Sequence, residues 1–238
     1  MTDAAQDTGW LRTVASEVRS FDRSSTAERV AELLRARVIE GDLPPGTRLS
    51  EEQLVEVLHV SRNTLRESFR LLTHEGLLVH RLHRGVFVPE LDEDDLVDLY
   101  RARRAIECDV VRRLEGLDAV RLRPLHDAVA AAEDAARRGD WPAVGTANMR
   151  FHLALVALGR SRRLDETAAR LFAELRLLFH TMDEPRSLHE PYVRRNRALL
   201  DLLAAGETGQ AAEDLDAYLH DSEAQLLTAY RDSPRRNP

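Results

Sequence analysis

Residues 50–72 read SEEQLVEVLHVSRNTLRESFRLL, and the first half of this stretch predicts a short helix. Ser50 is followed three residues later by a glutamine, which is the capping-box pattern of a helix start. Leu54, Val57 and Leu58 then fall at helical spacing. We therefore expect these three side chains to face the protein core.

The second half of the stretch predicts another helix after only two intervening residues. Ser61 occupies the N-cap position, and Leu65, Phe69 and Leu72 form an apolar stripe that we expect to be buried. Two short helices joined by so few residues, the second opening with polar and basic side chains, are typical of a helix-turn-helix.

The flanking residues complete a predicted winged domain. Upstream, a helix is predicted from Thr26 to Gly41, before the turn LPPG at 43–46. Downstream, β-prone runs at 77–81 and 86–88 are separated by LHRG, which predicts a hairpin. The apolar stripe of the first helix consists of Val30, Leu33, Leu34, Val38 and Ile39.

The rest of the chain predicts helices alone, with six successive patterns running to about residue 230. The fold class is therefore mainly α: an N-terminal winged helix-turn-helix of three helices plus a β-hairpin, followed by an all-α helical bundle. The predicted helix breaks lie near Gly116, 139–142, 159–161, 183–187 and 206–209. The predicted divisions are an N-terminal extension at 1–22, the winged domain at 23–89, a linker at 90–95, an all-α effector-binding and dimerisation domain at 96–230 and a flexible tail at 231–238.

The composition excludes several classes of protein. The chain has 34 basic residues, all of them arginine, against 41 acidic residues. Without lysine it cannot form a Schiff base with pyridoxal phosphate or supply the lysine of a phosphate-binding P-loop. Cys108 is the only cysteine, which excludes an internal disulfide framework and predicts a small core residue. No apolar run reaches the length of a membrane span and no apolar signal core follows Asp3, so we expect a cytoplasmic protein.

Basic charge is concentrated on the predicted second helix of the helix-turn-helix and on the wing. Residues 61–84 hold five arginines and two acids, a charge of +3, whereas residues 20–60 hold five arginines and eight acids, a charge of −3. Because the whole chain carries −7, DNA binding must use this local surface. Arginine pairs bidentately with guanine and asparagine with adenine, and an arginine beside a glycine at a hairpin tip can reach the minor groove or a phosphate. The candidate DNA-binding residues are Arg48, Ser61, Arg62, Asn63, Thr64, Arg66, His83, Arg84 and Gly85.

Several short motifs follow one another in a recognisable order. They are EGDLPPGTRL at 40–49, LHVSRNTLRE at 58–67, EGL at 75–77 and RGVFV at 84–88, with RRAIE at 103–107, Phe151-His152 and His220 in the helical half. In order and spacing these residues resemble the GntR family of transcription regulators, and the helical half resembles the FCD domain of the FadR-like branch. The resemblance implies a homodimer that binds a short pseudo-palindromic operator. One departure is Glu52, which stands where many relatives carry an arginine; Arg48 is the candidate to replace that contact.

The resemblance also implies a divalent metal in the helical domain, held by one aspartate and three histidines. The matching positions here are Asn148, His152, Asn196 and His220. Because asparagine binds transition metals poorly, two interpretations stand. In the first, Asn148, His152 and His220 hold zinc or a similar divalent metal in a weaker site, which water or another acid completes. In the second, the two histidines and the two amides bind a small polar effector directly.

Arg103 is the candidate clamp for an effector carboxylate, since guanidinium and carboxylate match as a fork. An ion pair with Glu107 one helical turn later is an equally good interpretation, and the two are compatible. His126, His180 and His189 are expected to be surface or packing residues. The candidate effector-binding residues are Arg103, Asn148, His152, Asn196 and His220.

These patterns favour a ligand-responsive transcription regulator, a repressor that senses a small carboxylate metabolite and has no catalytic residues. The rival is a metal-dependent phosphohydrolase on an all-α scaffold, which the doublets His126-Asp127 and His220-Asp221 would serve. Neither doublet has a further histidine or aspartate at a supporting spacing. A third interpretation is an architectural DNA-binding protein without a sensor, which the expected inward-facing pair of Asn148 and His152 opposes.

Overall fold

The computed structural model describes residues 25–40, 42–179 and 185–232. These ranges form nine helices and three short strands, which confirms the mainly α fold class. The predicted extension at 1–22 and residues 233–238 of the predicted tail lie outside the described residues. The elements are α1 (Thr26–Glu40), β1 (Arg48–Leu49), α2 (Glu51–Leu58), α3 (Arg62–His74), β2 (Val79–Arg81), β3 (Gly85–Phe87), α4 (Glu93–Arg112), α5 (Ala119–Arg138), α6 (Trp141–Ala157), α7 (Arg162–Phe179), α8 (Pro185–Ala204) and α9 (Thr208–Asp232).

The helix-turn-helix consists of α2 and α3, and each helix begins beside the serine that the pattern predicted as its cap. Ser50 Oγ accepts a hydrogen bond from the Gln53 amide at 3.4 Å, and Ser61 Oγ accepts one from the Thr64 amide at 3.1 Å. His59 adopts a left-handed conformation with φ 51°, which ends α2 and turns the chain towards α3. The apolar stripe of α3 is buried as predicted, at Leu65, Phe69 and Leu72.

Two side chains of the predicted apolar stripes lie on the surface instead. Val57 is 73% exposed and Leu33 is 49% exposed, so both predictions are wrong. Leu58 and Leu34, the next residue in each helix, contact the winged-domain core. Adjacent residues project about 100° apart around a helix. The face of each helix that contacts the core is too narrow to include both residues, so one of the two side chains remains exposed. The side chain of Ile39 lies outside the described residues.

The wing is a three-stranded antiparallel sheet with the order β1-β3-β2. The predicted hairpin corresponds to β2 and β3, with Val79 opposite Phe87. The edge strand β1 was not predicted, because its two residues are too few to show an alternating pattern. It pairs with β3 so that Arg48 lies opposite Phe87 and Leu49 lies opposite Val86. This pairing fixes Arg48 beside the wing.

The second domain contains six helices, α4 to α9, in agreement with the predicted breaks. Its first helix begins at Glu93, three residues before the predicted boundary, so half of the predicted linker at 90–95 is helical. A capping box explains the early start: the Asp95 amide donates to the Asp92 carboxylate at 2.9 Å, and the Asp92 amide donates back at 3.0 Å. At the other end, α9 continues through Asp232, two residues past the predicted domain boundary.

The core of the helical domain is apolar. Cys108 belongs to it, and burial raises the pKa of its thiol to about 12, as expected of a small core residue. No helix in the described ranges is both long and apolar enough to cross a membrane.

The two domains pack against each other along α7. Leu177, on α7, is 1% exposed and belongs to the core of the winged domain. Arg35 on α1 donates two hydrogen bonds of 2.7 Å to the carboxylate of Glu75, which caps α3. Arg170 on α7 donates one of 2.7 Å to His74 Nε2. The C-terminal end of α3 therefore contacts the helical domain.

The helices α6 and α8 approach closely at Gly145. A Cβ atom at residue 145 would lie 2.5 Å from His189 Nε2. His189 is 5% exposed and packs edge-on against Phe179, with ring centroids 4.8 Å apart. Burial, assisted by the charge of Arg176, lowers the pKa of His189 to about 4. His189 is thus a neutral packing residue, and His126 is exposed, both as expected; His180 lies outside the described residues.

Gly145→Ala is expected to destabilise the fold, although alanine favours helices. The added methyl group collides with His189, and such overpacking costs about 1–3 kcal/mol. Gly209→Ala is the matched control, since nothing lies within 4 Å of a Cβ there; it should stabilise the protein by up to about 1 kcal/mol. Urea denaturation measures both free energies of unfolding. Equal effects would contradict the packing of Gly145 against His189.

Acidification should destabilise the protein through His189. Its folded-state pKa of about 4 lies below the unfolded-state value of about 6.5, so between these values the unfolded chain binds the proton first. Stability is therefore full above about pH 6.5 and falls towards pH 4, with a slope that approaches about 1.4 kcal/mol per pH unit for this group. Urea denaturation across this range should show a flatter slope for His189→Gln and an unchanged slope for the exposed His126→Gln. An unchanged slope in His189→Gln would contradict the assignment.

Candidate nucleic-acid interface and effector site

The first turn of α3 presents two polar side chains to solvent. Arg62 and Asn63 are exposed there, at the N-terminal end of the second helix of the helix-turn-helix, which is the end that contacts base edges in DNA-binding proteins with this motif. Ser61 and Thr64 were predicted as DNA contacts as well. Their hydroxyl groups form a hydrogen bond with each other, with the two oxygens 2.8 Å apart. Both hydroxyls thus fix the start of α3 and orient Arg62 and Asn63.

The wing brings the other predicted residues together. His83 adopts a left-handed conformation with φ 58°, and Gly85 has φ 102°, a conformation that favours glycine. An ideal Cβ at residue 85 would lie 3.6 Å from Arg48 Nε, so Arg48 lies directly against the hairpin. Arg84 is exposed at the tip between them. The edge strand and the hairpin tip therefore form one basic surface.

Arg66 is held by a partner that sequence reasoning missed. Its Nε donates to both carboxylate oxygens of Glu51, at 3.2 and 3.0 Å, and its Nη2 lies 3.0 Å from Glu51 Oε2. This hydrogen bonding raises the pKa of Arg66 although its side chain is 56% exposed. The two residues are 15 positions apart on different helices, so no local spacing signals the pair. The predicted DNA contact of Arg66 would require this side chain to exchange Glu51 for a phosphate or a base.

Other arginines of this surface are also paired. Arg70 lies 3.1 Å from Glu67, and Arg81 lies 3.3 Å from Glu90. Glu67 is already counted in the +3 charge of residues 61–84, but Glu51 and Glu90 lie outside this segment and partly compensate that charge. In the described part of the chain, the arginines of this surface with no carboxylate at ion-pair distance are Arg48, Arg62 and Arg84.

A buried polar network crosses the centre of the helical domain. Glu107 on α4 accepts a hydrogen bond from Arg103 Nε at 2.8 Å, and its other oxygen lies 2.6 Å from His152 Nδ1 on α6. His152 Nε2 lies 3.0 Å from the hydroxyl of Tyr218 on α9. Each of these four residues is at most 2% exposed. The network therefore joins three helices through charged and polar groups that water does not reach.

The ionisation of the network follows from its burial and its charges. Burial disfavours the ionised carboxylate of Glu107, but the charge of Arg103 and the hydrogen bonds from Arg103 and His152 outweigh this effect and lower the pKa of Glu107. For Arg103, the carboxylate of Glu107 likewise outweighs burial and raises the pKa. Burial lowers the pKa of His152, and the carboxylate only partly offsets it. The resulting state is a charged Arg103–Glu107 pair beside a neutral imidazole.

Two acceptors of the network compete for one donor, and a third acceptor has no donor among the described residues. The Tyr218 hydroxyl lies 3.0 Å from His152 Nε2 and also 3.0 Å from Asn148 Oδ1, yet it has a single proton to donate. Asn148 Oδ1 also accepts a hydrogen bond from Asn196 Nδ2 at 2.6 Å. Asn196 Oδ1 is buried, and among the described residues it has no hydrogen-bond partner. An uncompensated buried acceptor costs stability, so a ligand that supplies a donor here would be stabilised.

Arg103 forms the ion pair that the sequence analysis offered as one of its two roles, and its role as a carboxylate clamp stays a prediction. It forms the ion pair with Glu107, and its guanidinium also lies over two aromatic rings, 4.9 Å from the centroid of Tyr100 and 4.7 Å from that of Phe172. Within the described residues, Nε is the only nitrogen of this guanidinium that donates a hydrogen bond. Its two terminal nitrogens have donors left for a carboxylate.

The prediction that His220 belongs to this site is wrong. Its side chain is 59% exposed, and its Nδ1 bonds the backbone oxygen of Asp216 at 2.9 Å. Tyr218, two residues earlier, is buried in the network instead, because residues two positions apart project to nearly opposite sides of a helix. The burial pattern of Leu215, Tyr218, Leu219 and Ser222 sets this register. The helical period of α9 could have revealed it in the sequence.

The predicted metal ligands do not fit a divalent metal. Of Asn148, His152 and His220, the last is exposed and the second has both ring nitrogens within hydrogen-bond distance of Glu107 and Tyr218. Of the three, Asn148 remains, with Asn196 hydrogen-bonded to it, and neutral amides bind transition metals poorly. Across the described ranges, no three histidine, cysteine, aspartate or glutamate side chains come together as metal ligands. The chemistry of the site is that of hydrogen bonding.

Comparison with known proteins identifies both domains. Residues 26–88 match the bacterial regulatory proteins of the gntR family, and residues 98–221 match the FCD domain. The chain belongs to the GntR family. The crystal structure of a transcriptional regulator GntR from Rhodococcus sp. RHA1 is 42% identical, with a TM-score of 0.80 over 87% of this chain and 100% of that chain. Both resemblances read from the sequence are confirmed.

Curated relatives of this GntR protein are named as repressors. A D-xylose utilization operon transcriptional repressor of Paenarthrobacter nicotinovorans is 26% identical over 79% of this chain and 83% of its own length. A gluconate operon transcriptional repressor of Bacillus licheniformis is 40% identical, but that match spans only 40% of this chain and 38% of the repressor. This GntR chain is a DNA-binding transcriptional regulator.

The rival enzyme interpretation has no assembled site. His126 and His220 lie on different helices, α5 and α9, and both are exposed. Asp221 forms an ion pair of 2.7 Å with Arg195. The family matches of this GntR protein point to regulators rather than to hydrolases.

Glu51→Gln is expected to tighten DNA binding by this GntR regulator. The substitution releases Arg66 and removes a negative charge beside the DNA surface, which should raise affinity about threefold or more. Glu56→Gln is the control, because it removes the same charge from an exposed position on α2. Fluorescence anisotropy with one DNA duplex at fixed salt measures both affinities. Weaker binding by Glu51→Gln would show that Glu51 aligns Arg66 for DNA.

Proposed function

We propose that this GntR protein is an effector-responsive repressor whose helical domain binds a small carboxylate without a metal. The observation that carries the proposal is that one buried network contains two groups with unused hydrogen-bonding capacity. Arg103 has terminal nitrogens that donate to no described residue, and Asn196 Oδ1 has no described donor. A carboxylate with a nearby hydroxyl would satisfy both, since a guanidinium fork matches a carboxylate and a hydroxyl donates to the amide oxygen.

For the DNA-binding half we propose a standard winged-helix arrangement. Arg62 and Asn63 read base edges in the major groove, Arg84 enters the minor groove or contacts a phosphate, and Arg48 contacts the backbone beside it. Two copies related by two-fold symmetry bind a short pseudo-palindrome, because each copy reads one half-site. The names of the Paenarthrobacter and Bacillus relatives support repression as the direction of control. The site of action is the cytoplasm, where the operator is.

The effector acts by favouring one arrangement of the two domains. It shifts the equilibrium only to the extent that it binds one arrangement more tightly than the other. Phe172 supplies a short connection, since it lies over Arg103 and belongs to α7, the helix that also places Leu177 in the winged-domain core. A carboxylate that draws Arg103 away from Phe172 changes the packing of α7 against both domains.

Arg103→Lys is expected to abolish the effector response and to preserve DNA binding. Lysine keeps the charge that Glu107 requires but lacks the planar fork, so the carboxylate contact weakens by about tenfold or more. Arg104→Lys is the matched control, because the neighbouring Arg104 pairs with Glu223 outside the network.

The measurement has two stages. Thermal shift with a panel of short hydroxy- and dicarboxylates, gluconate among them, first finds a compound that stabilises the wild-type protein. Fluorescence anisotropy with operator DNA selected from random sequence then measures release by that compound. Retention of the full response in Arg103→Lys would refute the effector site, whereas failure of the wild type to select any DNA sequence would refute the regulator itself.

A further inference from the structure

A cavity lies between the winged domain and the helical domain. This interdomain groove has a volume of about 500 Å³ and is lined by α1, the C-terminal end of α3, α6 and α7. Leu77 comes from the winged domain, and Met149, Leu153 and Phe172 come from the helical domain. A cavity of this size, apolar and with a few polar groups at its edge, has the properties of a small-molecule site.

Two arginines give the groove a positive charge. Arg150 and Arg176 both line it, and in the described part of the chain neither has a carboxylate at ion-pair distance. Arg176 is half-buried and donates to neutral acceptors, Thr146 Oγ1 at 2.7 Å and Met149 Sδ at 3.7 Å. Burial and the neighbouring charge of Arg150 both lower the pKa of Arg176. An anion between these arginines would relieve both effects.

The remaining charged groups of the groove already have hydrogen-bond or ion-pair partners. Glu75 is bound by Arg35, Arg170 donates to His74, and Glu166 lies 3.5 Å from an arginine of its own helix. The groove thus has an apolar floor and three arginines without a carboxylate partner among the described residues: Arg150, Arg176 and Arg170, whose described partner is the imidazole of His74.

We propose that the interdomain groove binds an amphipathic carboxylate, an organic anion with an apolar body. The carboxylate lies between Arg150 and Arg176, and the apolar body covers Leu77, Met149 and Leu153. This site goes beyond the effector site proposed above, from which Phe172 separates it: the same ring lines the groove and lies over Arg103.

Charge argues against a second copy of this chain as the occupant. A two-fold-related copy seated on the groove would bring its own Arg150 and Arg176 to the same patch, so four positive charges would meet without described carboxylates to compensate them. A carboxylate meets the same groove with the opposite charge.

The location predicts a direct effect on the DNA-binding domain. His74 and Glu75, at the end of the recognition helix α3, line the groove together with residues of α6 and α7. A ligand there contacts both domains at once, so it stabilises the arrangement in which they are packed as described. The effect of this ligand on the winged domain does not have to pass through the core of the helical domain.

Isothermal titration of the full-length protein with octanoate tests the proposal, with octanol as the uncharged control of equal chain length. We expect octanoate to bind at a ratio near one per chain and octanol to bind far more weakly. Arg176→Met should weaken octanoate binding at least about tenfold, because it removes a charge-assisted contact and keeps an unbranched apolar stem. Arg163→Met, an exposed arginine on the same helix outside the groove, should bind as the wild type does.

A plugging variant tests the location independently of charge. Ala169 is exposed and lines the groove, so Ala169→Trp fills the cavity without disturbing the core and should abolish octanoate binding. Three results would overturn the proposal: no octanoate binding to the wild type, equal binding by wild type and Arg176→Met, or dissociation of a dimer by Ala169→Trp in sedimentation velocity. The last would assign the groove to an interface between copies of the chain.

Discussion

The helical domain depends on how one buried carboxylate is compensated. Glu107 is 1% exposed, and a carboxylate in such surroundings remains ionised only when charges and hydrogen-bond donors replace the lost water. Arg103 supplies the charge from the same helix, and His152 supplies a donor from α6. Each compensating residue then has requirements of its own: Arg103 needs the aromatic rings that flank it, and His152 needs Tyr218. The packing of α4, α6 and α9 follows from these requirements, since a shift of any one helix would leave a buried charge or donor without a partner.

Features encoded by neighbouring residues were predictable from the sequence, and features that depend on distant residues were not. The serine caps of α2 and α3, the buried stripe of α3 and the six helices of the second domain are all local patterns, because a cap acts over three residues and a helical stripe repeats every turn. The edge strand β1 has only two residues and exists because β3 offers it a partner. The exposure of Val57 and the restraint of Arg66 by Glu51 likewise depend on which surfaces meet, and no spacing in the sequence records that.

The candidate effector site shows what a family resemblance can and cannot transfer. It directed attention to Asn148, His152 and Asn196, and the structure brings these three together. It failed for His220, which is on the outer face of α9, whereas the metal that it implies stays a prediction, at positions that hold two amides and the Tyr218 hydroxyl. The two asparagines were the signal of that change. A site with amides in place of carboxylate and imidazole has a lower affinity for metals. The amides instead provide hydrogen-bond donors and acceptors that can bind a polar ligand directly.

One helix connects every part of the molecule that a ligand would have to influence. On α7, Phe172 lies over Arg103, Arg176 lies in the interdomain groove one turn later, and Leu177 is buried in the core of the winged domain. Packed interiors resist compression, so a displacement of a rigid helix at one of these points is transmitted to the others rather than absorbed between them. A ligand in the effector site and a ligand in the interdomain groove therefore both act on α7. The two ligands would influence each other's affinity whenever they favour different positions of this helix. The sign of that coupling is set by whether the carboxylate on Arg103 moves Phe172 into the groove or away from it.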